Sequence, residues 1–72
     1  MLYSYLERQN YQPKHIDTAI FLYGFNRKKC EQFLKAFMEL SEMGFDQEDI
    51  KEALIVSEND REAAIDHLTK ST

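Results

Sequence analysis

Few residues in this chain are suited to covalent or acid–base chemistry. Its 72 residues include one cysteine, Cys30, and two histidines, His15 and His67. Cys30 recurs with Phe33, Leu34 and Phe37 at helical spacing, so it reads as a small inward residue with an inert thiol rather than as a nucleophile. His15 falls in the first turn of a helix and reads as a surface residue, and His67 lies beside Asp66 on the last helix. Neither histidine has cysteine or carboxylate partners at metal-ligand spacing. With two glycines in all, no glycine-rich phosphate loop is present. The reading is a chain that is not an enzyme and holds no metal or cofactor. What remains is contact chemistry. Met43-Gly44-Phe45 joins a flexible thioether, a residue free to turn the backbone, and an aromatic ring. An apolar loop tip of this kind costs solubility unless something uses it.

The elements that position this loop read as five helices and no strand. The first spans Leu2–Arg8, with Tyr3, Leu6 and Leu2 inward. Gln9-Asn10-Tyr11-Gln12 makes a turn in which Asn10 can adopt a left-handed conformation. Pro13 opens the second helix, where its missing N–H costs nothing. That helix runs to about Tyr23 with Ile16, Ala19, Ile20 and Tyr23 inward, and Gly24 ends it. Asn26 caps the third helix, residues 27–42. Its apolar residues Cys30, Phe33, Leu34, Phe37, Met38 and Leu40 cover an arc of roughly 160° at about 100° per residue. Asp46 caps the fourth helix, with Asp49 as a capping-box partner. That helix runs to about Ser57 with Ile50, Ala53, Leu54 and Ile55 inward. Asp60 caps the fifth, from Arg61 to about Lys70, with Ala64, Ile65 and Leu68 inward.

Charge is unevenly distributed. Residues 1–36 carry six Lys/Arg and three Asp/Glu, a balance of +3, whereas residues 37–72 carry three and ten, a balance of −7. The acidic half disfavours nucleic acid and suits a partner with a basic surface. Arg27, Lys28 and Lys29 oppose the dipole of the helix they begin. They read as a solvated basic surface, with an acidic partner as the alternative. No apolar run approaches the ~20 residues needed to span a bilayer, and no signal peptide opens the chain. The single cysteine suits a reducing compartment, so a cytoplasmic location without direct membrane insertion is expected.

A shift of 34 residues aligns the two halves without a gap. Leu6 falls on Leu40, Ile16 on Ile50, Ala19 on Ala53, Arg27 on Arg61 and Leu34 on Leu68. Similar pairs are Tyr3 with Phe37, Tyr11 with Phe45, Ile20 with Leu54, Cys30 with Ala64, and Asn26 with Asp60. The third helix is then the last of one copy and the first of the next, which accounts for its wide apolar arc. This predicts two overlapping three-helix bundles, residues 1–42 and 27–72, sharing helix 27–42. The first helix is short beside its counterpart, so a further repeat upstream is expected. Thirty-four residues is also the tetratricopeptide period, but the Gly44-Phe45-Asp46 break falls inside that repeat's first helix and the chain has no Trp.

The stretch Leu40–Leu68, LSEMGFDQEDIKEALIVSENDREAAIDHL, resembles a ubiquitin-associated (UBA) domain. The resemblance rests on the Met-Gly-Phe loop, the Ile50…Ala53-Leu54 helix and the Asn59-Asp60…Ala64-Ile65…Leu68 helix. The overlap of the copies is similar to the solenoid of overlapping UBA domains in a subunit of the endosomal sorting complex ESCRT-I. The resemblance implies an all-α, non-catalytic module that binds ubiquitin or ubiquitinated proteins through Met43, Gly44, Phe45, Leu68 and Thr69. It also implies recruitment to endosomes beside other subunits of a sorting complex. The matching positions of the first copy are Gln9, Asn10, Tyr11 and Lys35, a possible second ubiquitin site. Two departures stand out: Thr69 replaces a common second Leu, and Gln9-Asn10-Tyr11 replaces Met-Gly-Phe. A reading without ubiquitin, as a structural or protein-interaction module, stays open, as does a Phe45 ring folded inward as core.

Overall fold

The computed structural model describes residues 2–70. They form α1 (Leu2–Arg8), α2 (Pro13–Tyr23), α3 (Arg27–Glu42), α4 (Gln47–Val56) and α5 (Arg61–Lys70). No strand occurs among the described residues. Met1, Ser71 and Thr72, at the outer ends of the two expected bundles, lie outside them.

Local chemistry fixes the helix ends. Pro13 stands at the start of α2 after an extended Gln12, whose side chain makes no cap bond. Asn26 Oδ1 accepts from the Lys29 amide at 3.1 Å, Asp46 Oδ1 from the Glu48 amide at 2.9 Å, and Asp60 Oδ1 from Glu62 and Ala63 at 3.1 and 3.3 Å. Each satisfies amides that a helix start leaves unpaired. The return bond expected from Asp49 to complete a capping box is absent among the described residues; Asp46 reaches its second amide, not its third.

The chain divides into two compact units, Met1–Leu34 and Lys35–Thr72. The boundary falls inside α3, so each unit has three helical segments. In the first, Leu6, Ile16, Ala19, Cys30, Phe33 and Leu34 are buried. The Phe33 ring lies 6.0 Å from that of Tyr23, tilted by 58°. At the rim, the Arg27 guanidinium sits 5.2 Å over the Tyr5 ring and its Nε is 3.3 Å from Glu31 Oε1, while Tyr5 donates to Glu31 Oε2 at 3.5 Å. In the second, Ala36, Phe37, Leu40, Ile50, Ala53, Leu54, Ala64 and Leu68 are buried. Arg61 pairs with Glu39, and His67 Nε2 lies 3.9 Å from Glu52 Oε1.

The internal repeat extends to backbone detail. The turn after α1, with Gln9 donating to the Leu6 carbonyl at 3.1 Å and Asn10 to Glu7 at 3.0 Å, has a counterpart 34 residues on in Met43 to Leu40 at 3.1 Å and Gly44 to Ser41 at 3.0 Å. Asn10 and Gly44 both adopt positive φ, 70° and 96°, as do Gly24 and Glu58, 64° and 54°. The starts of α2 and α3 match those of α4 and α5 at the same offset.

Two side chains expected inside are outside. Met38 and Ile55 are exposed. Within its own unit Met38 stands about 100° around α3 from Phe37 and about 160° from Ala36 and Leu40, and Ile55 stands about 140° around α4 from Ile50. Ala36 is buried in place of Met38, so the apolar arc of α3 keeps its width and is rotated toward Ala36. Among the expected inward residues, Leu2, Tyr3, Ile20, Tyr23 and Ile65 are half-buried. Cys30 is fully buried.

Candidate functional site

The loop between α3 and α4 is built from the end of one helix and the cap of the next. The backbone turns at Ser41–Gly44, and Gly44 at φ 96° has no atom within 4 Å of where a Cβ would lie. Glycine is therefore required by conformation, since a side chain there would strain the backbone without colliding with anything. The turn leaves Met43 57% exposed. Phe45 is half-buried, between the fully inward and the fully exposed readings the sequence left open. Glu42, Asp46, Glu48 and Asp49 flank the loop and are all exposed, so a flexible apolar tip stands within an acidic field.

The last turn of α5 presents less apolar surface than its sequence implies. Leu68 is only 6% exposed and belongs to the core of the second unit. Thr69 is exposed, and its hydroxyl donates to the Asp66 carbonyl at 3.1 Å. Lys70 Nζ pairs with Asp66 Oδ2 at 3.0 Å. Met43, Gly44, Phe45, Leu68 and Thr69 all fall in the second unit. In the first copy, Gln9 and Asn10 are exposed and Tyr11 is half-buried. Lys35 is exposed, but it falls in the second unit.

The groups with chemical potential sit quietly. Burial pushes the Cys30 thiol above its ordinary pKa, and the thiol donates to the Gly24 carbonyl at 3.5 Å. A protonated thiol is a poor nucleophile. Burial first, and Lys14 second, lower the pKa of His15.

Sequence reasoning passed over several exposed apolar residues: Phe21, Phe25 and Val56. The signal was present for Phe21, which follows the core anchor Ile16 by five residues, as Ile55 follows Ile50. No helix among the described residues is long and apolar enough to cross a membrane.

One family comparison bears on this surface. The family model for ubiquitin-associated protein 1, UBA2 domain, matches residues 32–71. The match takes in the C-terminal part of α3, the Met43-Gly44-Phe45 loop, α4 and α5. It covers more than half of the 72-residue chain, and the chain accordingly belongs to the ubiquitin-associated protein 1 UBA2 domain family.

Proposed function

We propose that the chain is a non-catalytic ubiquitin-binding module whose main contact is the Met43-Gly44-Phe45 loop. The observation that carries this reading is the exposed Met43 on a glycine turn flanked in sequence by exposed acidic residues, in a chain of a UBA family. The apolar patch on ubiquitin's sheet is bordered by basic side chains, so an acidic rim is electrostatically complementary. Thr69 adds a polar contact from α5. Leu68, being buried, holds that helix in place from beneath the surface and contributes little area of its own. An interface this small binds weakly, and affinity for chains rises only if two sites engage together. The first copy offers Gln9, Asn10 and Tyr11 as a second, more polar site. The family supports a role in recognising ubiquitinated cargo in endosomal sorting, with ESCRT-I subunits as neighbours and a cytoplasmic protein drawn to endosomes.

Titrating ubiquitin into isotopically labelled protein tests the reading, with amide shifts centred on Met43–Phe45 and Thr69 as the expected result. The competing reading, a UBA-like module that holds a different protein, is favoured by the burial of Leu68 and by Thr69 in place of a leucine. It requires those amides to stay still at saturating ubiquitin.

A further inference from the structure

The first unit carries a protruding aromatic and basic tip that the ubiquitin reading does not use. Phe21, in the last turn of α2, is 87% exposed, and Phe25, in the turn that follows, is 81% exposed. Between them Gly24 adopts φ 64° with open space where a Cβ would lie, while its carbonyl accepts from the buried Cys30 thiol at 3.5 Å. Leu22 is half-buried beside them. Lys28 and Lys29 follow at the start of α3. Both are exposed, and neither ammonium group has an ion-pair partner among the described residues. They lie where the helix dipole repels them, with no acidic residue in the first turn, an arrangement that costs stability. Arg27 differs, because Tyr5 and Glu31 hold it. Lys14 lies on the Phe21 face of α2 at i, i+7. Over residues 14–29 four Lys/Arg stand against one acid, Asp17.

The second unit supplies an internal comparison. At the offset of 34, Phe21 becomes Ile55, Phe25 becomes Asn59, Lys14 becomes Glu48, Lys28 becomes Glu62 and Lys29 becomes Ala63. The same fold positions that are aromatic and basic in one unit are acidic and largely stripped of aromatics in the other. The tip is therefore not a requirement of the fold.

We propose that Phe21, Phe25, Lys28 and Lys29 form a docking point for an anionic lipid surface. Two largely exposed rings lie close in sequence to two exposed lysines that have no ion-pair partner among the described residues. They suit insertion between headgroups, where the lysines meet lipid phosphates and carboxylates. This departs from the sequence-based expectation of no direct membrane insertion in that the rings enter the interface, while no helix among the described residues is long and apolar enough to cross the bilayer.

The test is co-sedimentation of the full chain with vesicles of phosphatidylcholine containing roughly 30% phosphatidylserine, against pure phosphatidylcholine. The expected result is binding to the anionic vesicles alone, weakened by salt. A Phe21→Ser/Phe25→Ser double variant and a Lys28→Glu/Lys29→Glu double variant should each bind at least about tenfold more weakly. Circular dichroism of both variants should match the parent, since all four side chains are exposed. Ubiquitin titration of the same variants should be unchanged at Met43, which separates this surface from the loop in the second unit. Failure to bind the anionic vesicles, equal binding to neutral ones, or undiminished binding by either folded variant would overturn the proposal. Binding to poly-glutamate in the absence of any vesicle binding would overturn it in favour of an acidic protein partner.

Discussion

Met43 and Leu68 were grouped by family position, but they do different physical work. Met43 is mostly in solvent and Leu68 is in the core. Met43→Ala should lower ubiquitin affinity several-fold while leaving the melting temperature nearly unchanged, as expected for an exposed contact. Leu68→Ala should cost about 2–5 kcal/mol of stability through the cavity it leaves, and urea denaturation would measure it. If Leu68→Ala left stability intact, its placement in the core would be wrong. His15 gives a second residue-scale expectation. Its pKa is lowered in the folded state, so on acidification the unfolded chain takes up the proton first. Stability attached to His15 is complete above the ordinary histidine value, ~6.5, and is lost as pH falls from there toward the lower folded value. His15→Gln should therefore lose less stability than the parent between about pH 7.5 and 5.5. Parallel losses in the two proteins would refute this. The chemically inert character of Cys30 was legible from its spacing. The burial of Leu68 was legible too, since it pairs with Leu34 across the repeat. The exposure of Phe21 was not extracted, because phenylalanine in a helix is usually read as core until its angle to the anchor is worked out; Phe25, in the turn after α2, has no helical angle to read.

At the scale of elements, capping residues carried most of the information. Pro13, Asn26, Asp46 and Asp60 mark four helix starts, and the observed α2, α3, α4 and α5 begin at Pro13, Arg27, Gln47 and Arg61. Where the reading slipped, the cause was rotation about a helix axis and not its limits. Met38 and Ile55 were counted inward, yet each stands about 100° or more around its helix from the buried residues of its own unit. Ala36 was overlooked because a small side chain gives a faint signal, although a close-packed interior needs small residues as much as large ones. The caps also identify a weak point. Gln12 makes no side-chain cap bond, whereas its counterpart Asp46 does. Gln12→Asp should stabilise the first unit by about 0.5–1 kcal/mol, and Asp46→Ala should destabilise the second by about 1 kcal/mol. Thermal denaturation of both variants would check these opposite signs. A Gln12→Asp protein no more stable than its parent would mean that the start of α2 is already satisfied by solvent.

For the whole molecule, a 34-residue period written twice in 72 residues yields two compact units whose division lies inside one continuous helix. Burial of Phe37 and Leu40 in the second unit and of Cys30, Phe33 and Leu34 in the first explains why α3 needs so wide an apolar arc. We propose that this continuity makes unfolding cooperative. Phe37→Ala, costing roughly 3–5 kcal/mol, should then lower the transition of both units together, whereas separate melting of the units would contradict the shared helix. Charge divides the molecule differently from fold, since the same architecture is basic in its first half and acidic in its second. That division favours the second unit for a basic partner. The most direct measurement is titration of unlabelled ubiquitin into the labelled full chain. Saturable amide shifts centred on Met43, Gly44 and Phe45, needing several-fold more ubiquitin to saturate in Met43→Ala while the spectrum otherwise stays folded, are the result expected. An unchanged spectrum at millimolar ubiquitin, or shifts confined to other surfaces, would contradict the account.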